Sequence, residues 1–252
     1  MATNNSINNT VYENDFSVNR STAGTAVESS VEHSDNSNTG SHARLLAQAG
    51  GTSGGDPFVR FNISGAQDYS FGIDNTDSDS LKIQDDADPS TGNNLWALTA
   101  SGERNMPLQP CFNAYVSTTI TNVTGDNTKY TIIFDTELED QSSDYNNTTG
   151  VFTASVDGQY TFGVSIGTRD NGAAHTSGIG GIETSDYSYL TRRAPSKVFV
   201  VAGGVVDYLL SVIAPMDAAD TASAYVRVSG GALVVDVWQF SYGSDFHGKL
   251  EC

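Results

Sequence analysis

The 252-residue sequence predicts an all-β protein, from one feature of its composition and two of its hydrophobic pattern. Ser, Thr, Asn and Gly are abundant and charged residues make up only 17% of the chain, which is usual for β-rich proteins with many turns. Short segments alternate apolar and polar residues and end in Gly, Asn, Asp or Ser clusters, as half-buried strands and hairpins do. Nearly continuous apolar runs toward the C-terminus are typical of strands covered on both faces, as in a sandwich or at a subunit interface.

Residues 1–20 are polar and lack periodicity, and they predict an extended N-terminal arm. Its isolated apolar residues Val11, Tyr12, Phe16 and Val18 would anchor the arm to a larger assembly. Segments of this kind are often disordered alone and ordered in an assembly. A frayed terminus is the alternative interpretation, and the pattern leaves both open.

Residues 21–109 predict a module of short β-strands. Val59, Phe61 and Ile63 alternate with polar residues, so these side chains are expected to point inward. Each strand supplies only about three such side chains, a thin core that association with further copies of the chain would complete. Strands are expected at 44–47, 59–63, 69–73, 81–83 and 95–98.

The segment 106–110 is the predicted boundary between the module and a second domain. Its two prolines, Pro107 and Pro110, stop a strand ladder and force an extended connection. Residues 110–246 are denser in aromatic and β-branched residues and predict a compact head of about eight to ten strands. Within this head, 168–189 is expected to be a long exposed loop. Residues 247–252 are assigned to a short C-terminal tail.

Charge, hydropathy and cysteine content exclude several classes of protein. The net charge is −18, and a surface this acidic repels phosphate backbones, so nucleic acid is not expected as a partner. The most apolar run, 198–206, is shorter than the roughly 20 residues of a membrane-spanning helix. The first residues lack the basic start and apolar core of a secretory signal, so we expect the protein to be made and folded in a cytoplasm, export by an unusual route being the alternative. Cys111 and Cys252 do not make a disulfide framework and are expected to be reduced.

Glu137, Glu139 and Asp140 are the candidates for catalysis. On a strand Glu137 and Glu139 would share one face with Cα atoms roughly 6.5–7 Å apart, a spacing that can suit glycoside hydrolysis. Acidic proteins supply such pairs routinely, and the neighbouring sequence offers no apolar environment that would raise one pKa. We therefore assign no catalytic residue and predict that the protein is not an enzyme.

Two acidic clusters are the candidates for metal binding, because carboxylate oxygens at this density suit Ca²⁺. For the first cluster, the favoured alternative is that its residues cap a hairpin turn. No metal ligand and no cofactor is assigned, and Ca²⁺ remains an open alternative. The clusters comprise Asp74, Asp77 and Asp79, and Asp135, Glu137, Glu139, Asp140 and Asp144.

The histidines and the glycine-rich run 178–181 indicate no further site. The four histidines lack the paired spacing of a transition-metal site, and the glycine run lacks the Lys-Ser/Thr of a phosphate cradle. The histidines are His33, His42, His175 and His247.

Three motifs of the C-terminal half resemble a known family. FNAYVST (112–118), the block YTIIFDTELEDQSSDYNNTTGVFTASVDGQYTF (130–162) and LVVDVWQFSYG (233–243) follow one another as in C1q and tumour-necrosis-factor-like heads. Residues 111–246 therefore resemble these heads. The resemblance implies a jelly roll that forms a homotrimer and binds partners at its surface without catalysing a reaction.

The preceding residues resemble a different kind of protein. The stretches 50–83 and 98–110 are similar to β modules of bacteriophage tail-fibre and virion-appendage proteins. The resemblance implies a virion location, with the N-terminal arm attached to other virion proteins and the head exposed.

The predicted head contains two sets of candidate contact residues. Tyr and Arg are enriched at interface hot spots. The candidates for contact with a host glycan or protein are therefore Tyr187, Tyr189, Arg192 and Arg193. The alternative is that these residues belong to the ordinary surface or to trimer packing. Surplus aromatic residues would be covered by neighbouring copies. These are Tyr115, Phe134, Tyr160, Phe162 and Trp238.

The sequence thus predicts a trimeric, non-enzymatic virion protein of a bacteriophage, either a fibre or spike or a capsid decoration. A soluble C1q-like lectin is the alternative, and a polysaccharide depolymerase is the third hypothesis.

Overall fold

The computed structural model describes residues 31–35, 37–40, 42–198, 203–239 and 243–251. The predicted arm at 1–20 lies outside these residues. The all-β prediction is confirmed: the described residues form eighteen strands and a single 3₁₀ turn at Pro195–Lys197. Within them, no helix has the length and hydropathy needed to cross a bilayer.

The first five strands form an antiparallel sheet in sequence order. Its hairpins are closed by polar turns, and four of the five strands coincide with those predicted from the alternation. The predicted strand at 44–47 is wrong, because these residues lie in an extended segment without strand pairing. The strands are β1 (Phe58–Ile63), β2 (Gln67–Asp74), β3 (Ser80–Gln84), β4 (Asn94–Leu98) and β5 (Arg104–Asn105).

Most of the large apolar side chains of this sheet lie on its exposed face, contrary to the prediction. Val59, Phe61 and Ile63, expected to point inward, are all exposed. Alternation determines which residues share a face but not which face the rest of the chain covers. Here the chain covers the polar face.

An ion-pair network occupies the covered face. The Lys82 ammonium lies 2.7 Å from carboxylate oxygens of both Asp74 and Asp77, and Asp74 also accepts hydrogen bonds from the backbone and hydroxyl of Thr76. Gln84 donates to the Pro89 carbonyl at 3.0 Å. These partners satisfy polar groups that would otherwise be costly to bury.

The linker 106–110 is attached to the second domain by hydrogen bonds. Gln141 donates through its side-chain amide to the carbonyls of Met106 and Gln109. The Leu250 amide donates to the Pro110 carbonyl at 3.0 Å. The linker therefore joins the second domain beside its last strand.

The second domain is a sandwich of two antiparallel sheets with jelly-roll topology. One sheet has the order β10-β11-β16-β13-β14, with β8 also paired to β16; the other has the order β7-β17-β12-β18-β6-β9, with β15 paired to β12. Its thirteen strands exceed the predicted eight to ten because the stretch between residues 129 and 153 is divided into four short strands. The strands are β6 (Cys111–Tyr115), β7 (Ile120–Thr124), β8 (Lys129–Thr131), β9 (Thr136–Asp140), β10 (Tyr145–Asn146), β11 (Val151–Thr153), β12 (Gly158–Asn171), β13 (Ser177–Thr184), β14 (Ser188–Arg193), β15 (Gly204–Met216), β16 (Thr221–Ser229), β17 (Val235–Val237) and β18 (Asp245–Leu250).

Aromatic rings fill the space between the two sheets. Phe112 stacks on Tyr145 at a centroid distance of 4.7 Å and on Phe152 at 5.1 Å, and it meets Phe246 edge-on at 5.0 Å. Stacked and edge-on pairs of this kind add stability beyond the area they bury. Phe162 completes the cluster, which draws on strands of both sheets.

The glycine-rich segment predicted to be an exposed loop is a buried strand instead. Most of 168–189 lies in β12, β13 and the start of β14. Gly178 and Gly180 lie against Tyr208: a β-carbon would stand 1.9 Å from the Tyr208 hydroxyl at position 178 and 2.4 Å from its Cβ at position 180. The glycines therefore leave space for the inward-pointing Tyr208 side chain. Close packing against that ring explains why this strand is rich in glycine, a composition otherwise typical of loops.

The chain also ends differently from the prediction. β18 continues to Leu250 and pairs with both β6 and β12, so residues 247–250, assigned to a tail, belong to the central part of the sheet. The mixed composition of β18, with a charged or polar residue at three of its six positions, conceals this strand in the sequence. Residues 240–242 of the predicted closing motif lie outside the described residues.

Candidate functional site: an exposed sheet face of the second domain

An apolar surface lies on the outward side of the seven-stranded sheet. Along β15, Val205, Leu209 and Ile213 point away from the core, and the last two are 63% and 64% exposed. On the neighbouring β12, Ser165 pairs with Leu209, and Gly163 lies one pleat further along the same face. We call the surface formed by these five residues the β12–β15 face.

Two shallow hollows border this surface because the β12 residues facing outward are small. One, of ≈ 460 Å³, is lined by Gly163, Leu209 and His247, and the other, of ≈ 350 Å³, is lined by Val205, Leu209 and Trp238, among others. His247 Nδ1 lies 3.0 Å from an Asp245 carboxylate oxygen at the rim. Asp207 and Ser211 lie between Val205, Leu209 and Ile213 on the same side of β15, so the surface combines large apolar side chains with polar ones.

Of the aromatic residues predicted to form a subunit interface, some are buried within the protomer and others are partly exposed. Phe134, Tyr160 and Phe162 are fully buried within the protomer, so their prediction as surplus surface residues is wrong. Tyr115, on β6, and Trp238 are partly exposed, and Trp238 lines a hollow beside Leu209. One sandwich uses more aromatic side chains in its own core than the sequence analysis assumed.

The predicted contact residues lie on an edge strand and its turn. Tyr187 is exposed in the turn between β13 and β14, with its ring centroid 6.2 Å from that of Tyr189. Arg192 and Arg193 are exposed near the other end of β14, roughly 10–13 Å further along the strand. The structure therefore brings the two tyrosines together but does not place both arginines beside them.

The first acidic cluster is neutralised by a lysine. Lys82 bridges Asp74 and Asp77, while Asp79 occupies a left-handed turn position with φ of 58°. Burial acts to raise the pKa of Asp74, but hydrogen bonds from Lys82 and Thr76 outweigh it and hold the pKa below its usual range. The cluster thus caps a turn, the favoured alternative in the sequence analysis.

The second acidic cluster is spread over a bulged edge. In β9, Glu137 pairs with Ala114 of β6 and Glu139 pairs with Asn113 of the same strand. Leu138, between them, is the extra residue of a β-bulge. The two glutamates therefore do not follow the simple alternation on which their predicted shared face rested. Burial raises the pKa of Asp140, whose carboxylate accepts hydrogen bonds from the amides of Asp144 and Tyr145.

In the described part of the chain, no three His, Cys, Asp or Glu side chains are grouped to hold a metal ion. His33 and His42 precede β1 in the chain and are exposed. His175 is buried, and its Nδ1 accepts a hydrogen bond from the Gly172 amide at 3.0 Å. Cys111 is a free thiol whose pKa is raised by burial. Cys252 lies outside the described residues.

The apolar run 205–213 predicts a strand covered on both faces, either within a sandwich or at a subunit interface, and its outward side is exposed in the single chain. Asp207 and Ser211, which alternate with Val205, Leu209 and Ile213, are the sequence signal for that outward side. Asp and Ser side chains are mostly exposed in folded proteins, so a strand that carries them at every second outward position is expected to have its outward side exposed in the isolated chain.

Comparison with known proteins gives a family match for part of the chain. Residues 112–206 match the C1q domain family. A search of curated proteins gives no significant match. Similar solved structures include the globular domain of zebrafish complement 1qA protein, 15% identical over 57% of this chain and 98% of that chain, with a TM-score of 0.38. Murine APRIL at pH 8.5 is 4% identical over 57% and 99% of the two chains, with a TM-score of 0.41. Eiger TNF from S. frugiperda is 12% identical over 57% and 93%, with a TM-score of 0.41.

The family match confirms the C1q resemblance for residues 112–206 and agrees with the two-sheet jelly roll described above. The similarity of residues 50–83 and 98–110 to phage appendage modules stays a prediction.

Proposed function

We propose that the chain is a non-enzymatic binding protein whose second domain forms a homotrimeric head through the β12–β15 face. The observation that carries this proposal is the exposure of Leu209 and Ile213 on a flat sheet surface. Burying two such side chains on association is worth several kcal/mol at about 1.5–3 kcal/mol each. The C1q domain match of residues 112–206 supports the same arrangement.

Sedimentation of the full chain tests the assembly. A trimer of the 26.7 kDa protomer is expected to give way to lighter species in Leu209→Asp/Ile213→Asp, because the substitutions place buried charges between subunits. Leu190→Asp is the matched control, since Leu190 is an exposed leucine on the other sheet. A wild-type chain that sediments as a monodisperse monomer would contradict the proposal.

We further propose that the head is carried on a virion, as a bacteriophage fibre, spike or capsid decoration protein made in the host cytoplasm. The layout supports this proposal: a β-sheet module precedes the head, and the linker 106–110 joins them by hydrogen bonds to Gln141 and Leu250. A chain that presents a head on a module suits attachment through the N-terminal arm to other virion proteins. Locating copies of the chain in intact particles by electron microscopy tests this location.

The exposed head is proposed to contact host or partner surfaces, glycan or protein, through Tyr187 and its neighbours on β14. Binding of labelled protein to host cells is expected to fall in Tyr187→Ala/Tyr189→Ala and to be unchanged in Leu108→Ala, at an exposed linker position. Binding that persists without the two tyrosines would place recognition elsewhere. Secretion as a soluble protein absent from particles would favour the C1q-like lectin, and release of reducing ends from host polysaccharide would favour the depolymerase.

A further inference from the structure

The module that precedes the head has no hydrophobic core of its own in the described residues. Among the described residues between 31 and 109, the buried apolar side chains are only those of Pro89 and Ala97. The other buried side chains are polar, and they are Ser70, Asp74, Ser80, Lys82 and Gln84. A sheet of this size needs an apolar face covered by another element to be stable.

The uncovered face of the module is a continuous apolar surface. Register places Val59, Phe71, Ile83 and Trp96 in one row across four strands. Phe61 and Tyr69 are paired in the next row on the same face. We call this surface the module face.

The module face has the composition of an interface. Along the described strands β1 to β4 it carries no charged residue, and Gln67 and Arg104 lie at its rim, where β2 begins and where β5 pairs with β4. Seven large side chains on this side of the sheet are 36% to 69% exposed, those of Val59, Phe61, Ile63, Tyr69, Phe71, Ile73 and Ile83. They leave on the order of 600 Å² of apolar surface, since large side chains each offer roughly 150–250 Å².

We propose that the module face is a second self-association surface, covered by the same face of further copies of this chain. A patch of this size approaches the roughly 800 Å² per partner of a stable interface and is at the upper end of what a monomer exposes. An apolar face without charges is complementary to itself. Folding of the module is therefore coupled to assembly, independently of the β12–β15 face.

The N-terminal segment of the same chain is a poorer occupant. Residues 1–30 carry few large apolar side chains, scattered among Asn, Ser and Thr without the alternation of a covering strand. A second copy, in contrast, offers an apolar surface of equal size and shape.

The two tryptophans allow the two surfaces to be followed separately in the full chain. Trp96 lies at the end of the central row of the module face, and Trp238 lines the hollow beside Leu209. In Trp238→Phe, Trp96 is expected to be shielded from acrylamide at high protein concentration and to become accessible on dilution. The converse variant, Trp96→Phe, retains Trp238 and reports on the head. If the head does not trimerise, the quenching of Trp238 in that variant is expected to change, while the shielding of Trp96 in Trp238→Phe stays the same.

Phe71→Asp in the Trp238→Phe chain is expected to weaken association through the module roughly 30-fold, the loss typical of a hot-spot residue. Leu46→Asp is the matched control, because Leu46 is an exposed leucine outside all strands. Trp96 accessibility that is independent of both concentration and Phe71→Asp would overturn the proposal. Shielding that is independent of concentration but lost on deletion of residues 1–30 would also overturn it, in favour of cover by the chain's own terminus.

A thiol measurement keeps the test valid if Phe71→Asp does not fold. Phe61→Cys is made in a Cys111→Ser/Cys252→Ser chain and compared with Ala100→Cys, at an exposed turn. Alkylation of Cys at position 61 is expected to slow at least about tenfold as the protein concentration rises, whereas the control is unchanged. Equal rates for the two thiols at every concentration would show an open face and refute the proposal.

Discussion

The imidazole of His247 lies directly over Gly163 on the β12–β15 face: a β-carbon at position 163 would stand 2.2 Å from His247 Nε2. The contact is possible because glycine leaves the centre of β12 flat at this point. The Asp245 carboxylate holds the other ring nitrogen at 3.0 Å.

Gly163→Ala is expected to displace the His247 ring and to break its contact with Asp245, at a cost below about 1 kcal/mol because an exposed side chain can rotate away. The His247 ring resonances in NMR spectra report the displacement. Gly248→Ala is the matched control on the same sheet, where the new methyl would meet the Phe162 ring at 2.5 Å inside the core. That variant is expected to lose about 1–3 kcal/mol; equal losses in both variants would contradict the described packing.

Lys82→Met is expected to destabilise the module by about 3–5 kcal/mol, because Asp74 is left as an uncompensated charge with 4% of its side chain exposed. Asp77, the other partner of Lys82, has 60% of its side chain exposed. Asp77→Ala is therefore expected to lower the free energy of unfolding by less than about 1 kcal/mol. Urea unfolding followed by Trp96 fluorescence in Trp238→Phe measures both changes.

The same pair has a pH signature with a definite sign. Because the pKa of Asp74 is lowered in the folded state, its contribution to stability is present above the unfolded pKa of about 4 and is lost as the pH falls through the folded value. The penalty of Lys82→Met is therefore expected to be largest near neutral pH and to shrink in acid. A penalty that is constant from pH 7 to pH 3 would contradict the ion pair.

Tyr208→Phe is expected to make the protein less sensitive to alkali. Burial raises the pKa of Tyr208 to about 12, so between pH 10 and 12 the unfolded chain ionises first and the free energy of unfolding falls as the pH rises. At pH 11 the difference is about 1.4 kcal/mol, one pKa unit. Unfolding curves at pH 9 and pH 11 measure it, and Tyr187→Phe, at an exposed turn, is the control expected to behave like wild type.

Phe112→Ala is expected to lose about 3–5 kcal/mol of stability, because Phe112 is buried among Tyr145, Phe152 and Phe246 and its removal leaves a cavity. Tyr187→Ala, which removes an exposed aromatic ring, is expected to stay within about 1 kcal/mol. Thermal melting of the full chain compares the two, and similar midpoints would show that the ring cluster is not the core.

Strand positions were predictable because alternation has a period that local residues alone determine. The pattern at 59–63 and 69–73 locates β1 and β2 to within two residues at each end. The side that faces solvent was not predictable, because tertiary contacts decide it: Val59, expected inside, is exposed, whereas the charged Lys82 on the opposite face is buried beside Asp74 and Asp77. The candidate site is only partly predictable from sequence: the apolar run 205–213 indicates a sandwich core or a subunit interface, and tertiary structure is needed to show that Leu209 and Ile213 face outward.

The packing of Tyr208 against Gly178 and Gly180 has an evolutionary consequence. A side chain at position 178 would overlap the Tyr208 hydroxyl, so Gly178 can be replaced only when residue 208 becomes shorter. A side chain at position 180 would overlap Tyr208 Cβ, an atom that every residue except glycine carries, so Gly180 is expected to stay glycine whatever residue stands at 208. Homologues are therefore expected to keep Gly180 and to substitute positions 178 and 208 in concert, which would distinguish these glycines from those of a loop.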